Sequence, residues 1–258
     1  MKTMLNKVPA VTIIFWLIKT LATTVGETAA DYLNMTLKLG LLVTSGVMAV
    51  LLLVALGVQL WTRRYIPTVY WLVVVLISVV GTLISDNLVD NLGVSLELSS
   101  SIFAIALAAV FGVWYAMERT LSVHTITTTR RELFYWAAIL FTFSLGTSAG
   151  DLIGEKLGLG YALSVVLFLA LIAAVYAAWR LLKIDAVLAF WAAYILTRPL
   201  GASTGDLLSQ SHHDGGLGLG STWTSVVFLA AIVAMVVLES RSQARVETDE
   251  PPGLQPQA

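Results

Sequence analysis

The chain contains no cysteine, which excludes disulfides, thiolate metal sites, iron–sulfur ligation and cysteine catalysis together. Charge is scarce as well. Only 12% of the 258 residues are charged against 58% hydrophobic, and mean hydropathy is +0.86, too little polar surface for a soluble domain of this size. Histidine occurs only at His124 and at the adjacent His212 and His213, so a serine–histidine–acid triad has no evident geometry and no enzyme is expected. Strictly alternating strands are also lacking. Runs such as Val47 to Leu56 are apolar on every face, which argues for helices over a barrel.

Apolar stretches near the roughly 20 residues that cross a bilayer lie at about 10–32, 39–61, 67–89, 98–118, 133–154, 160–180, 185–208 and 222–239. The expectation is an all-α polytopic membrane protein with eight transmembrane helices in one domain over residues 1–240. Residues 241–258 read as a disordered cytoplasmic tail. The first stretch holds Lys19, Glu27 and Asp31 and reads as a retained span rather than a signal peptide. Basic residues gather at Lys2 and Lys7, Arg63 and Arg64, Arg119, Arg130 and Arg131, Arg180 and Lys183, and Arg241 and Arg245. By the positive-inside rule these positions, and both termini, face the cytoplasm of a bacterial inner membrane. The opposite connections are acidic.

A repeat organises the spans. Trp16, Trp71, Trp136 and Trp191 are each followed ten residues later by Gly26, Gly81, Gly146 and Gly201, and fifteen residues later by Asp31, Asp86, Asp151 and Asp206. Fifteen helical residues span roughly 22 Å, so each tryptophan sits towards the cytoplasmic side, as an interfacial anchor or packing residue, and each aspartate towards the outer side. The glycines suit close helix approach or local unwinding. The tryptophans stand 55, 65 and 55 residues apart, and the polar stretch Ser122 to Thr129 accounts for the longer step. Four two-helix units result, at about 8–64, 65–121, 130–183 and 184–240, all entering the membrane in the same direction.

Four such units, each with one tryptophan of this repeat, resemble the bacterial membrane proteins built from the repeat of unknown function DUF347. The likeness covers residues 8–240 and is carried by the segment Ile18 to Thr28, by Gly81-Thr82-Leu83-Ile84-Ser85-Asp86-Asn87, by Leu145-Gly146-Thr147-Ser148-Ala149-Gly150-Asp151 and by the segment Thr197 to Asp206. The resemblance implies the architecture and supplies no substrate.

Carboxylates inside spans are costly and point to function. On a helix, residues three, four, seven and eight positions before an aspartate share its face. Asp31 is thereby grouped with Thr28, Glu27, Thr24 and Thr23, Asp151 with Ser148, Thr147 and Ser144, and Asp206 with Ser203 and, one turn deeper, Arg198 and Pro199. The second unit is poorer, with Asp86, Thr82 and Ser78. Oxygen-rich faces of this kind suit a hard divalent cation or a proton. Glu27, Asp31, Asp151 and Asp206 are the candidate metal ligands, and Asp86 an accessory acid. Lys19 and Arg198, the basic residues inside the spans, serve as counter-charges; with Glu27 and the four aspartates ionised they leave a net charge of −3.

The reading is a carrier for an inorganic cation, with a divalent metal as one candidate and proton exchange at the same acids. Beyond the bilayer and that ion, no partner, nucleic acid or cofactor is expected, and the oligomeric state stays open. Three alternatives remain. The aspartates could be interfacial residues that cap turns or pair with Lys38, Lys156 or Arg198; the chain could be a scaffold or sensor; or Lys19 and Arg198 could bind a proton-coupled anion. His212-His213-Asp214 reads as an ordinary loop.

Overall fold

A computed structural model supplies the fold and describes residues 6–249, apart from the side chains of Met35 and of residues 243–249. Lys2 and residues 250–258 lie outside the described residues. Among the described residues, eight helices are long and apolar enough to cross a membrane. They are α1 (Ile13–Asp31), α2 (Leu41–Trp61), α3 (Pro67–Asp86), α4 (Leu96–Glu118), α5 (Thr129–Asp151), α6 (Tyr161–Leu181), α7 (Ala186–Ser209) and α8 (Ser221–Asp249). No strand occurs among the described residues.

Local chemistry sets the helix starts. Hydroxyl side chains of Thr12, Ser95 and Thr128 accept the exposed N–H groups of Phe15, Leu98 and Arg131, and Asp185 accepts those of Val187 and Leu188 at 3.0 Å each. Pro67 occupies the first turn of α3, where its missing N–H is not needed. Gly40, Gly160 and Gly220 take positive φ just before α2, α6 and α8, letting the chain reverse within a short connection. At its far end α8 continues to Asp249, into the stretch read from sequence as a tail. Strong helix formers such as Gln243, Ala244, Arg245 and Glu247 favour that continuation.

The odd-numbered helices form an inner ring, with α1 packed on α3, α3 on α5, α5 on α7 and α7 back on α1. The even-numbered helices surround it. Between 56 and 67% of the apolar stretch of each inner helix is buried, against 11 to 22% for each outer helix. This allocation follows from sequence: α2, α4, α6 and α8 have few polar groups to hide from lipid, whereas α1, α5 and α7 carry the polar residues that must be shielded.

Each unit is a hairpin in connectivity but not in packing. The outer helix lies mainly on the inner helix of the following unit: α2 on α3, α4 on α5, α6 on α7, and α8 on α1. The last unit thus embraces the first, closing the ring without a seam.

The repeat tryptophans stand at one end of this ring. Trp71, Trp136 and Trp191 are buried and Trp16 half-buried, so of the two roles expected from sequence they fill that of packing residues. Each follows another aromatic, giving Phe15-Trp16, Tyr70-Trp71, Tyr135-Trp136 and Phe190-Trp191. Edge-on and tilted contacts join them, among them Phe15 with Trp71 (5.6 Å between ring centres), Tyr70 with Trp136 (5.4 Å) and Trp191 with Tyr194 (5.6 Å). Three indole N–H groups are satisfied: Trp71 by Glu239 (2.9 Å), Trp136 by Glu132 (3.5 Å) and Trp191 by the Leu121 carbonyl (2.9 Å).

Candidate functional site

The repeat glycines explain how the four inner helices come close enough to share one site. Gly26 lies against Ser78, Gly81 against Phe143, Gly146 against Arg198 and Gly201 against Thr23. Every partner is the seventh residue after its own tryptophan, on the next inner helix, so one contact recurs around the whole ring. A β-carbon at Gly81 would stand 2.8 Å from that of Phe143, and at the other three it would overlap its partner. The helices run unbroken through these glycines, so they are packing points, not the unwound segments considered from sequence. Backbone irregularity comes later: single π-helical turns, Tyr32–Thr36, Asn87–Asn91 and Leu152–Lys156, begin directly after Asp31, Asp86 and Asp151. No such turn follows Asp206.

One side chain ties the ring together. Arg198 on α7 is fully buried and donates from Nη1 to the Thr23 carbonyl (2.8 Å) and from Nη2 to Glu27 Oε2 (3.1 Å), Thr147 Oγ1 (2.8 Å) and Thr82 Oγ1. A single guanidinium therefore bonds α1, α3 and α5 from α7. Thr82 also donates to Glu27 Oε2 at 3.3 Å. Glu27, Thr82 and Thr147 all stand eleven residues after their tryptophans, and the small Ala202 holds the fourth place. Arg198, four residues earlier on that same helix, supplies the polar group missing from this fourth corner.

On the tryptophan side of this layer lies Lys19, also fully buried, donating to the Tyr194 carbonyl (2.8 Å) and to Thr197 Oγ1. Its ammonium stands 4.3 Å from the Tyr194 ring centre and 5.3 Å from that of Phe143. Ser78 Oγ, Ser144 Oγ, Tyr194 Oη and Arg198 Nε are buried and have no protein partner. Beyond Lys19, the aromatic doublets, the segment 119–128 and residues 6–12 close the end. There Lys7 and Glu132 form a second buried pair at 2.5 Å, and Gln59 donates to Glu132 at 3.0 Å.

The repeat aspartates stand at the opposite end. Asp206 is buried, whereas Asp31, Asp86 and Asp151 are half-buried. Asp31 accepts a long 3.5 Å bond from Gln210. The four are close enough to one another and to Glu27 to interact electrostatically, forming an acidic mouth over the Arg198 layer. They do not pair with Lys156, which binds Glu97 at 2.6 Å near the surface, nor with Arg198, which takes Glu27.

Several expectations change. Among the described residues no three His, Cys, Asp or Glu side chains gather as a metal-ligand set, so Glu27, Asp31, Asp151 and Asp206 are not assembled around a common ion. The reason is that Glu27 sits one helical turn deeper and is already held by Arg198. Ser148 bonds Ser85 (2.6 Å) and Ser99 (2.7 Å), tying α5 to α3 and α4 rather than facing the axis. Thr24 donates only to the Thr20 carbonyl of its own helix (3.3 Å), and Ser203 is buried on α7. Thr147, Glu27, Lys19 and Arg198 do lie at the centre. Thr82, Thr23, Thr197 and Tyr194 belong there too and were not singled out as site residues. Aligning the units at the eleventh residue after each tryptophan is the signal that finds Thr82. His212 donates from Nδ1 to the Gly216 carbonyl (3.1 Å), consistent with an ordinary loop turn.

The repeat described as Repeat of Unknown Function (DUF347) matches residues 14–65, 69–120, 134–185 and 189–245, and the chain belongs to that family. Each match contains one inner helix and the outer helix that follows it. No curated protein and no solved structure matches the chain.

Proposed function

We propose that this member of the DUF347 repeat family is a carrier for a small inorganic cation, exchanged against protons at Glu27, in a bacterial inner membrane with both termini in the cytoplasm. The supporting observation is the buried Glu27–Arg198 pair, which lies where all four inner helices meet, beneath an acidic mouth and above a closed aromatic end. A charge pair in that position is costly to keep, and replacing it with apolar residues would pack the ring at least as well.

The four aspartates raise the local concentration of cations at the mouth. An arriving cation competes with the Arg198 guanidinium for Glu27 Oε2, and the hydroxyls of Thr82 and Thr147 supply neutral oxygen ligands. Release of Arg198 from Glu27 loosens the tie between α7 and α1, the step that opens the closed end. Protonation of Glu27 frees the guanidinium in the same way, which is how proton and cation come to compete. The absence of a three-acid cluster among the described residues shifts the preferred cargo from a divalent metal to a monovalent ion or the proton itself.

Purified protein in proteoliposomes, tested against sodium, potassium, magnesium, manganese and zinc with and without an imposed pH gradient, checks this reading. Uptake of one monovalent ion that accelerates with an opposing proton gradient is expected. The same four-way contact of Arg198 would also serve a membrane scaffold that transports nothing, and absence of flux for every ion overturns the carrier reading in favour of that one. Flux of anions alone would reassign Arg198 as the substrate's partner.

A further inference from the structure

A groove of about 850 Å³ opens on the lipid-facing side between α6 and the α1–α7 contact. Its walls are almost wholly apolar, with Leu17 from α1, Leu169 and Tyr176 from α6, and Ala193 and Leu200 from α7. It runs along α7 from Ala186 to Leu200, which at 1.5 Å per residue is roughly 21 Å and so more than one leaflet's half of a hydrocarbon core about 30 Å thick.

The mouth of this groove at the tryptophan end is chemically different. Trp179 and Ala186 are shared with a second pocket of about 250 Å³ whose wall includes Arg180 and Lys183. Neither cation pairs with a carboxylate among the described residues; Arg180 rests on the Trp179 ring, 5.7 Å from its centre. The nearest acid in the chain, Asp185, is occupied in capping the first N–H groups of α7. Ser122 and His124 add polar groups on the opposite lip.

We propose that this groove is a binding site for one anionic phospholipid of the leaflet at the tryptophan end, its acyl chain lying along Ala193 and Leu200 and its phosphate held by Arg180 and Lys183. The apolar walls match an acyl chain in length and chemistry. Two unpaired cations at the depth of the headgroups select negative charge. A bound lipid would brace α6 against α1, two helices otherwise joined through α7.

Native mass spectrometry of the full-length protein in detergent, titrated with phosphatidylglycerol or phosphatidylcholine of the same chains, tests the site. Phosphatidylglycerol should bind roughly 25-fold more tightly, since each of the two surface cations adds about fivefold for an anionic headgroup. The double variant Arg180→Gln/Lys183→Gln should lose that preference while unfolding at the same temperature as wild type. Ala193→Phe, which fills the groove, should weaken both lipids. Equal affinity for the two lipids, or a preference that survives the double variant, overturns the proposal. Binding of soluble glycerol phosphate as tight as that of the lipid overturns it too, because the groove would then contribute nothing.

Discussion

The inner and outer helices belong to one repeat and are all long enough to cross a membrane, yet they solve opposite problems. Inner helices carry Lys19, Glu27, Thr82, Thr147 and Arg198 and bury them; outer helices bury only scattered neutral polar groups such as Gln59, Ser99 and Ser164 and present leucine and valine to lipid. Their glycines make the contrast concrete. Gly26, Gly81, Gly146 and Gly201 on the ring leave no room for a β-carbon, whereas Gly46 and Gly57 on α2 and Gly112 on α4 have nothing within 4 Å of one. The same residue type is therefore a structural requirement in one layer and incidental in the other. Without a hydrophobic drive between helices in lipid, the ring depends on close approach and internal polar bonds.

Breaking the central pair should produce the largest effect. Arg198→Ala leaves Glu27 buried without its partner, a loss of about 3–5 kcal/mol, read as a lowered unfolding midpoint in detergent. Adding Glu27→Gln to that variant should restore part of the loss, and Arg180→Ala on α6 should change little. An Arg198→Ala protein as stable as Arg180→Ala would remove the distinction between the layers. Next come the glycines. Gly201→Leu should overpack the α7–α1 contact and cost about 1–3 kcal/mol. Gly112→Leu on α4 should be neutral or stabilise by up to roughly 1 kcal/mol through helix propensity. A smaller loss belongs to Ser148→Ala, which removes the bond to Ser85 within the inner ring and the bond to Ser99 that joins inner to outer helix; about 1 kcal/mol is expected in the same measurement.

Much of this fold can be read from sequence because both signals are strong. Apolar runs of spanning length mark the helices, and the tryptophan–glycine–aspartate register marks the units. The layer assignment is also legible, since α2, α4, α6 and α8 carry no charged residue in the middle of their spans. Two features escape such reading. The ring's handedness, with α2 on α3 rather than on α1, depends on three-dimensional packing that no periodicity encodes. The layer where the four helices meet is the other: the aspartates attract notice because they are charged and repeat without exception, whereas the central layer of Glu27, Thr82, Thr147 and Ala202 varies from unit to unit. Its variation is the point, because a single acid and a single arginine can meet only in an asymmetric ring.

Two buried acid–base pairs, Glu27 with Arg198 on the axis and Glu132 with Lys7 at the tryptophan end, permit the most direct test. The measurement is the initial rate of monovalent cation uptake into proteoliposomes under an imposed pH gradient, for Glu27→Gln beside Glu132→Gln, each at matched amounts of folded protein. The account predicts that Glu27→Gln abolishes the response to the gradient while Glu132→Gln retains it. A Glu27→Gln protein that still responds as wild type does would contradict the claim that exchange occurs at the centre of the ring.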